Sequence, residues 1–217
     1  MDLKRARNVI LNDKDYQFAA DFARNGHLKK KSTDEQIVDE ILIPIANHES
    51  RLVPTQLQEV ANFDYNKHGQ GLYQFEKPSI RSALRRAFRL MLKEQQMPFT
   101  TNPDTLKKAK VPSYMINMYK QLDEGKQVDF TKLSPGQQSA IAVFNFLGHT
   151  TANIDNVTSG NQTINSFWYN NHWAGASTSN EETRAKRRAS FSKHYNELVT
   201  MSKKRENVEV GPLTIQE

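Results

Sequence analysis

Glu49 stands in the run IPIANHESRLVP (43–54), a carboxylate among aliphatic residues where the pattern marks the end of a helix. At about 100° per residue it projects between Val38 and Leu42, inside the arc set by Ile37, Ile41 and Ile45. Desolvation on such a face disfavours the ionised form and raises the pKa, as a general acid needs if it is to hold a proton near neutral pH. An acid at a helix C-terminus with Arg51 close behind is also a common ion-pair arrangement, so the wheel alone leaves both roles open. A second group follows in FDYNKHGQGLYQFE (63–76), where Gly69 and Gly71 flank a short turn and Gln74 offers an amide that both donates and accepts. The glycines fit a backbone that approaches a ligand closely, and equally a plain β-turn. Asp64 and Glu76 add two carboxylates to this stretch, although surface exposure is the usual state of such residues.

The elements that must position these groups are helical almost throughout, and no alternating run argues for a sheet, so the expected fold class is all-α. DKDYQFAADFARNG places Tyr16, Phe18, Ala19, Phe22 and Ala23 at helical spacing and stops at Gly26. STDEQIVDEILIPIANHES opens with Ser32 and Glu35 in capping-box spacing, and Pro44 should bend it by crowding the carbonyl of Glu40. Further helices start at Pro78 and Pro112, with MPFTTNPDTLKKAKV between them read as a loop. LSPGQQSAIAVFNFLGH has a Ser134 cap, Pro135 in its first turn and Gly148 as its stop. A polar loop, the aromatic cluster Phe167, Trp168, Tyr169 and Trp173, and a last helix from Ser179 complete the chain. The expected organisation is a helical and basic extension over 1–31, a main domain over 32–203 and an extended tail over 204–217.

The 217 residues, 37% hydrophobic and 25% charged, suit one globular domain with attachments rather than a disordered chain. There is no cysteine, which excludes disulfides and thiolate metal sites, and the six histidines show no ligand spacing, so no metal and no cofactor are expected. No run approaches a membrane span, and the N-terminus lacks a signal-peptide core, so synthesis in the cytoplasm is expected. A net charge of +6 and a pI near 9.4 favour an anionic partner such as nucleic acid, an acidic wall polymer or a lipid surface. Arg81, Arg85, Arg86, Arg89 and Lys93 read as a solvated basic face that would suit such a partner.

Taken together, Glu49-Ser50, then GLYQF, then AIAVFNFLG with Asn145 resemble the lysozyme-like lytic transglycosylases and goose-type lysozymes. In that family a helix ends in Glu-Ser, a Gly-Leu-Met-Gln motif follows, and an Ala-Tyr-Asn-Ala-Gly motif comes later. Here Tyr73 replaces the methionine and Val-Phe-Asn-Phe-Leu-Gly replaces the third motif. The resemblance implies cleavage of the β-1,4 bond between N-acetylmuramic acid and N-acetylglucosamine in peptidoglycan, with Glu49 as the acid. It implies contacts to the glycan from Ser50, Tyr73, Gln74 and Asn145, and a late tyrosine, Tyr195, against the catalytic carboxyl. A transglycosylase reuses the one carboxylate as base, whereas an inverting hydrolase needs a second, for which Asp64 and Glu76 are the candidates. The expectation is the transglycosylase, with the goose-type hydrolase or an endolysin as alternatives.

A wall-cleaving enzyme without a signal peptide fits a bacteriophage virion component that opens the wall during genome ejection, bound to other virion proteins through its terminal segments. A non-catalytic structural or nucleic-acid-binding virion protein is the expectation of a different class.

Overall fold

In the computed structural model the described residues are 1–28, 32–148, 153–172 and 179–209, with side chains described as far as 202. They form eleven α-helices, short π and 3-10 turns and no strand, as the helical periodicity predicts; Leu57, Gln70 and Phe75 make isolated bridges only. Helix α8 (Pro135–Leu147) is central: it is buried on every side from Ala140 to Phe146, and apolar there except at Asn145. Its start carries the expected features: Ser134 and Gln137 close a capping box, and Pro135 sits in the first turn. Around α8 pack α2 (Lys14–Arg24), α5 (Lys77–Glu94) and α1 (Leu3–Leu11). Ala6, Ile10, Tyr16 and Ala19 therefore belong to the common core, so α1 and α2 pack into it. Gly136 permits this docking, since a Cβ there would lie 2.0 Å from the side chain of Asp13, which caps α2 and accepts from Ser134 Oγ at 2.8 Å.

The helix that carries Glu49 begins at α3 (Asp34–Ile37), widens into a π turn over Val38–Leu42, and continues as α4 (Ile43–Ser50). Pro44 explains the widening. Its ring cannot donate and crowds the preceding turn, and a wide turn accommodates it within a continuous helix, with Ile43 N–H reaching back to Val38 O. The cap is one residue later than the spacing predicts: Thr33 and Gln36 form the box. Ser32 is instead buried and donates to Asp155 Oδ1 at 2.9 Å, which ties this helix to α9 (Ile154–Thr158).

Residues 103–108, expected as loop, form α6 (Pro103–Lys108) with Asn102 as its cap, ahead of α7 (Ser113–Asp123). The polar loop and aromatic cluster likewise hold α9 and α10 (Ile164–Asn171), capped by Asn153 and Thr163. Helix α11 spans Glu181–Glu209 and so runs into the segment expected as an extended tail; residues 210–217, Lys29–Lys31 and Trp173 lie outside the described residues. The basic face of α5 is largely engaged. Arg85 and Arg89 cover Phe99 at 5.0 and 5.4 Å, and Arg86 donates to Asn145.

Candidate active site

An open cleft of about 520 Å³ is bounded by the end of α4, the loop behind it, the turn before α5, α10 and α11. Glu49 lines it. Directly after Ser50 the chain reverses through two left-handed residues, Arg51 (φ 52°) and Leu52 (φ 62°), so α4 stops within a turn of the acid. The second wall is the Gly71–Phe75 turn. Gly71 (φ 71°) is required there, because a Cβ would meet Gln138 Oε1 at 2.3 Å, and that oxygen accepts from Leu72 N–H at 2.7 Å. Gln70 Oε1 accepts from Phe130 N–H at 2.8 Å, which pins the same turn from its other end. Gln74 at the tip is also left-handed (φ 47°), a conformation that costs on the order of 1 kcal/mol and is held by this anchoring.

The Glu49 side chain is 16% exposed. Trp168 Nε1 donates to its Oε1 at 2.6 Å, and His172 Nε2 lies 3.8 Å from the same oxygen. Burial pushes the Glu49 carboxyl up to about 7, against smaller downward pulls from the Trp168 hydrogen bond and the Arg187 charge. Burial also holds His172 down at about 4, so at neutral pH its imidazole is uncharged. Because Nε2 meets the carbonyl oxygen of Tyr73 at 2.8 Å, it is the nitrogen that carries the proton, and Nδ1 is left buried without a partner. A protonated carboxyl beside a neutral imidazole and an indole donor can deliver a proton into the cleft, and as the resulting carboxylate it keeps the indole N–H as its stabilising donor.

The π turn alters the helical wheel. Val38, Leu42 and Ile45 do not line the cleft, and the groups beside the carboxyl are Trp168 and His172 from α10 and its C-terminal cap. Trp168 is in turn fixed by Phe191 of α11, stacked at 4.8 Å, and by His48 edge-on at 4.7 Å. His48 Nδ1 meets His194 Nδ1 at 3.0 Å, and Asn47 donates to the His194 carbonyl at 3.3 Å, so α11 is clamped onto the end of α4.

The other expected site residues divide. Gln74 and Glu76 line the cleft; the Gln74 amide nitrogen is held by Gln56 O and Gly71 O, which leaves its oxygen to act on a ligand. Ser50 borders the cleft, but its hydroxyl is turned back onto Ala46 O at 2.9 Å. Tyr73 is fully buried, with its hydroxyl 2.8 Å from Ser139 Oγ, so it packs the core and reaches the site only through its carbonyl on His172. Asn145 is buried against Arg86, away from the cleft. Tyr195 does not line it either, and the contact expected of that tyrosine is made by Trp168. Asp64 sits outside the cleft, where Asn66 N–H and the Asn66 amide hold its carboxylate below the usual range.

Among the cleft residues that sequence reasoning did not assign to the site are His172, Arg187 and Glu59, and Trp168 figured there only within the aromatic cluster. Among the described residues no cluster of three His, Asp or Glu side chains is placed to hold a metal ion, and no helix is long and apolar enough to cross a membrane. No protein-family model, curated protein or solved structure matches this chain.

Proposed function

We propose that the protein is a lysozyme-like peptidoglycan lytic transglycosylase in which Glu49 is the general acid. The observation that carries this reading is that, of the carboxyls lining an open cleft, Glu49 is the one raised to about 7 by burial and oriented by Trp168. Glu49 passes its proton to the glycosidic oxygen between the muramyl and glucosaminyl units, and the bond to the muramyl anomeric carbon breaks. The Glu49 carboxylate then removes a proton from the muramyl hydroxyl, whose oxygen closes on that carbon to give an anhydro end. Gln74, with its oxygen unspent, supports the sugar hydroxyls and amides opposite.

A second reading, the inverting hydrolase, is favoured by one observation: Glu76 lines the same cleft and is a carboxylate able to activate water. The net charge of +6 suits an anionic wall polymer, and delivery as a virion component remains the setting we propose.

The test is digestion of purified sacculi followed by mass analysis of the released muropeptides. Anhydro ends are expected from the wild type. Reducing ends move the assignment to the hydrolase, and no release from wild-type protein overturns both.

A further inference from the structure

The contacts that clamp α11 onto α4 form a string of hydrogen bonds with a direction. Arg51 Nη2 lies 2.6 Å from His194 Nε2, and a guanidinium can only donate, so Nε2 accepts and the His194 proton sits on Nδ1. That Nδ1 lies 3.0 Å from His48 Nδ1, which must accept in its turn, so the His48 proton sits on Nε2. A further proton on either ring would set two N–H groups against each other, and both rings are therefore uncharged. Their surroundings agree. Burial, then the neighbouring His194, Arg187, His172 and Arg51, hold His48 down at about 3. Burial, with Arg51 and Lys193, also holds His194 below its usual value against the opposing pull of Glu197. One end of the string is anchored by charge, since Glu197 pairs with Arg51 at 3.3 Å. At the other end the His48 ring stands edge-on to Trp168 at 4.7 Å and lies 5.0 Å from Phe191, and Trp168 donates to Glu49.

We propose that His194 is a positioning residue for the acid: donating from Nδ1, it keeps the His48 ring uncharged and fixed against Trp168, and so keeps the indole aimed at Glu49. A ring held by one directional bond cannot turn over without breaking it, which gives Trp168 a stationary wall opposite Phe191. The charge of the ring matters as much as its place. A cation at His48, next to the acid in sequence and against its hydrogen-bond donor, would favour the ionised Glu49 and cost the site its proton. The effect on cleavage rests on the reading of Glu49 as the acid, whereas the direction of the string is independent of that reading.

Long-range proton–nitrogen correlation spectra of the full chain at neutral pH read the tautomers directly. His194 is expected to carry its proton on Nδ1 and His48 on Nε2; the opposite tautomer at His194, or a charged ring at either position, overturns the proposal. Two variants of nearly equal size then separate direction from packing. His194→Asn puts an amide nitrogen where Nδ1 stood and still donates to His48, whereas His194→Asp puts an acceptor there and draws a proton onto His48 Nδ1. The indole proton of Trp168, assigned with Trp168→Phe, should keep its hydrogen-bonded downfield position in the Asn variant and move upfield in the Asp variant. Sacculus clearing should fall no more than about twofold with Asn and about tenfold with Asp. Asn and Asp variants that behave alike in the indole resonance would make His194 a packing residue only and end the proposal. Absence of clearing by the wild type overturns the proposed function alone, because the tautomers and the indole resonance are read without substrate.

Discussion

The indole nitrogen of Trp168 donates to Oε1 of Glu49 across 2.6 Å, joining α10 to the last turn of α4 over 119 residues of chain. A donor aimed at a carboxyl oxygen stabilises the ionised form, while burial favours the neutral one, and here burial is the larger effect. The site therefore holds a carboxylic acid whose conjugate carboxylate already has a donor in place.

Replacing Glu49 with Gln removes the proton and keeps the oxygen that accepts from Trp168. Cleavage of sacculi, followed by turbidity, is expected to fall at least about 100-fold with circular dichroism unchanged. Near wild-type clearing by that variant ends the assignment of Glu49.

The same substitution should stabilise the protein above neutral pH. Glu49 has its folded pKa raised from 4.5 to about 7, so the folded state binds more protons between these values and loses stability as pH rises through them. Glu49→Gln escapes this loss, which is on the order of 3 kcal/mol. Melting curves should place the variant above wild type at pH 8, with the gap closing toward pH 4.

For turnover, the protonated carboxyl is the active form, so the alkaline limb of the pH profile should lie near 7. Trp168→Phe removes the one hydrogen bond that favours ionisation while keeping a ring against Phe191. The limb is then expected to move to higher pH, at a stability cost of about 1 to 3 kcal/mol. A limb that moves down would mean that water enters and that the indole acts by exclusion.

Glu76 and Asp64 separate the two mechanisms. Asp64→Asn should leave cleavage unchanged, since that carboxylate turns onto Asn66 outside the cleft. Glu76→Gln should retain substantial activity and the same anhydro ends. Abolished activity with Glu76→Gln, scored by muropeptide mass, would install Glu76 as the base of an inverting hydrolase.

Tyr73→Phe is expected to cost about 1 kcal/mol through the lost hydrogen bond to Ser139, with cleavage intact. The measurement is a denaturant midpoint alongside sacculus clearing, and loss of clearing without loss of stability would return Tyr73 to the substrate.

What could be read from the chain was local. The all-α class, the capped start of α8 and the placing of Glu49 on a helix end followed from periodicity and end signals within a few residues. Helices α6, α9 and α10 were hidden by their polar caps, Asn102, Asn153 and Thr163, which also suit loops. The wheel assumed an even turn and could anticipate neither the π turn at Val38–Leu42 nor the indole and imidazole that face the carboxyl. Trp168 and His172 meet Glu49 only through tertiary packing, and nothing near either residue in sequence marks that meeting. Asn47-His48 beside Glu49 and Phe191 to His194 in the last helix were a faint signal, since both put imidazoles on helix faces that a clamp could use.

The wide turn ahead of Pro44 makes the spacing of this helix as consequential as its composition. A one-residue change of length that this turn did not absorb by reshaping would rotate everything from Ile43 to Ser50 by about 100° and shift it by about 1.5 Å. Glu49 would swing away from Trp168 although every side chain of the cleft were still present, in opposite directions for a deletion and an insertion. Val38 to Leu42 touch nothing in the cleft, yet their number indexes the acid. Descendants of this chain are thus free to exchange the apolar residues of that segment for one another, while gaps and insertions there should be purged.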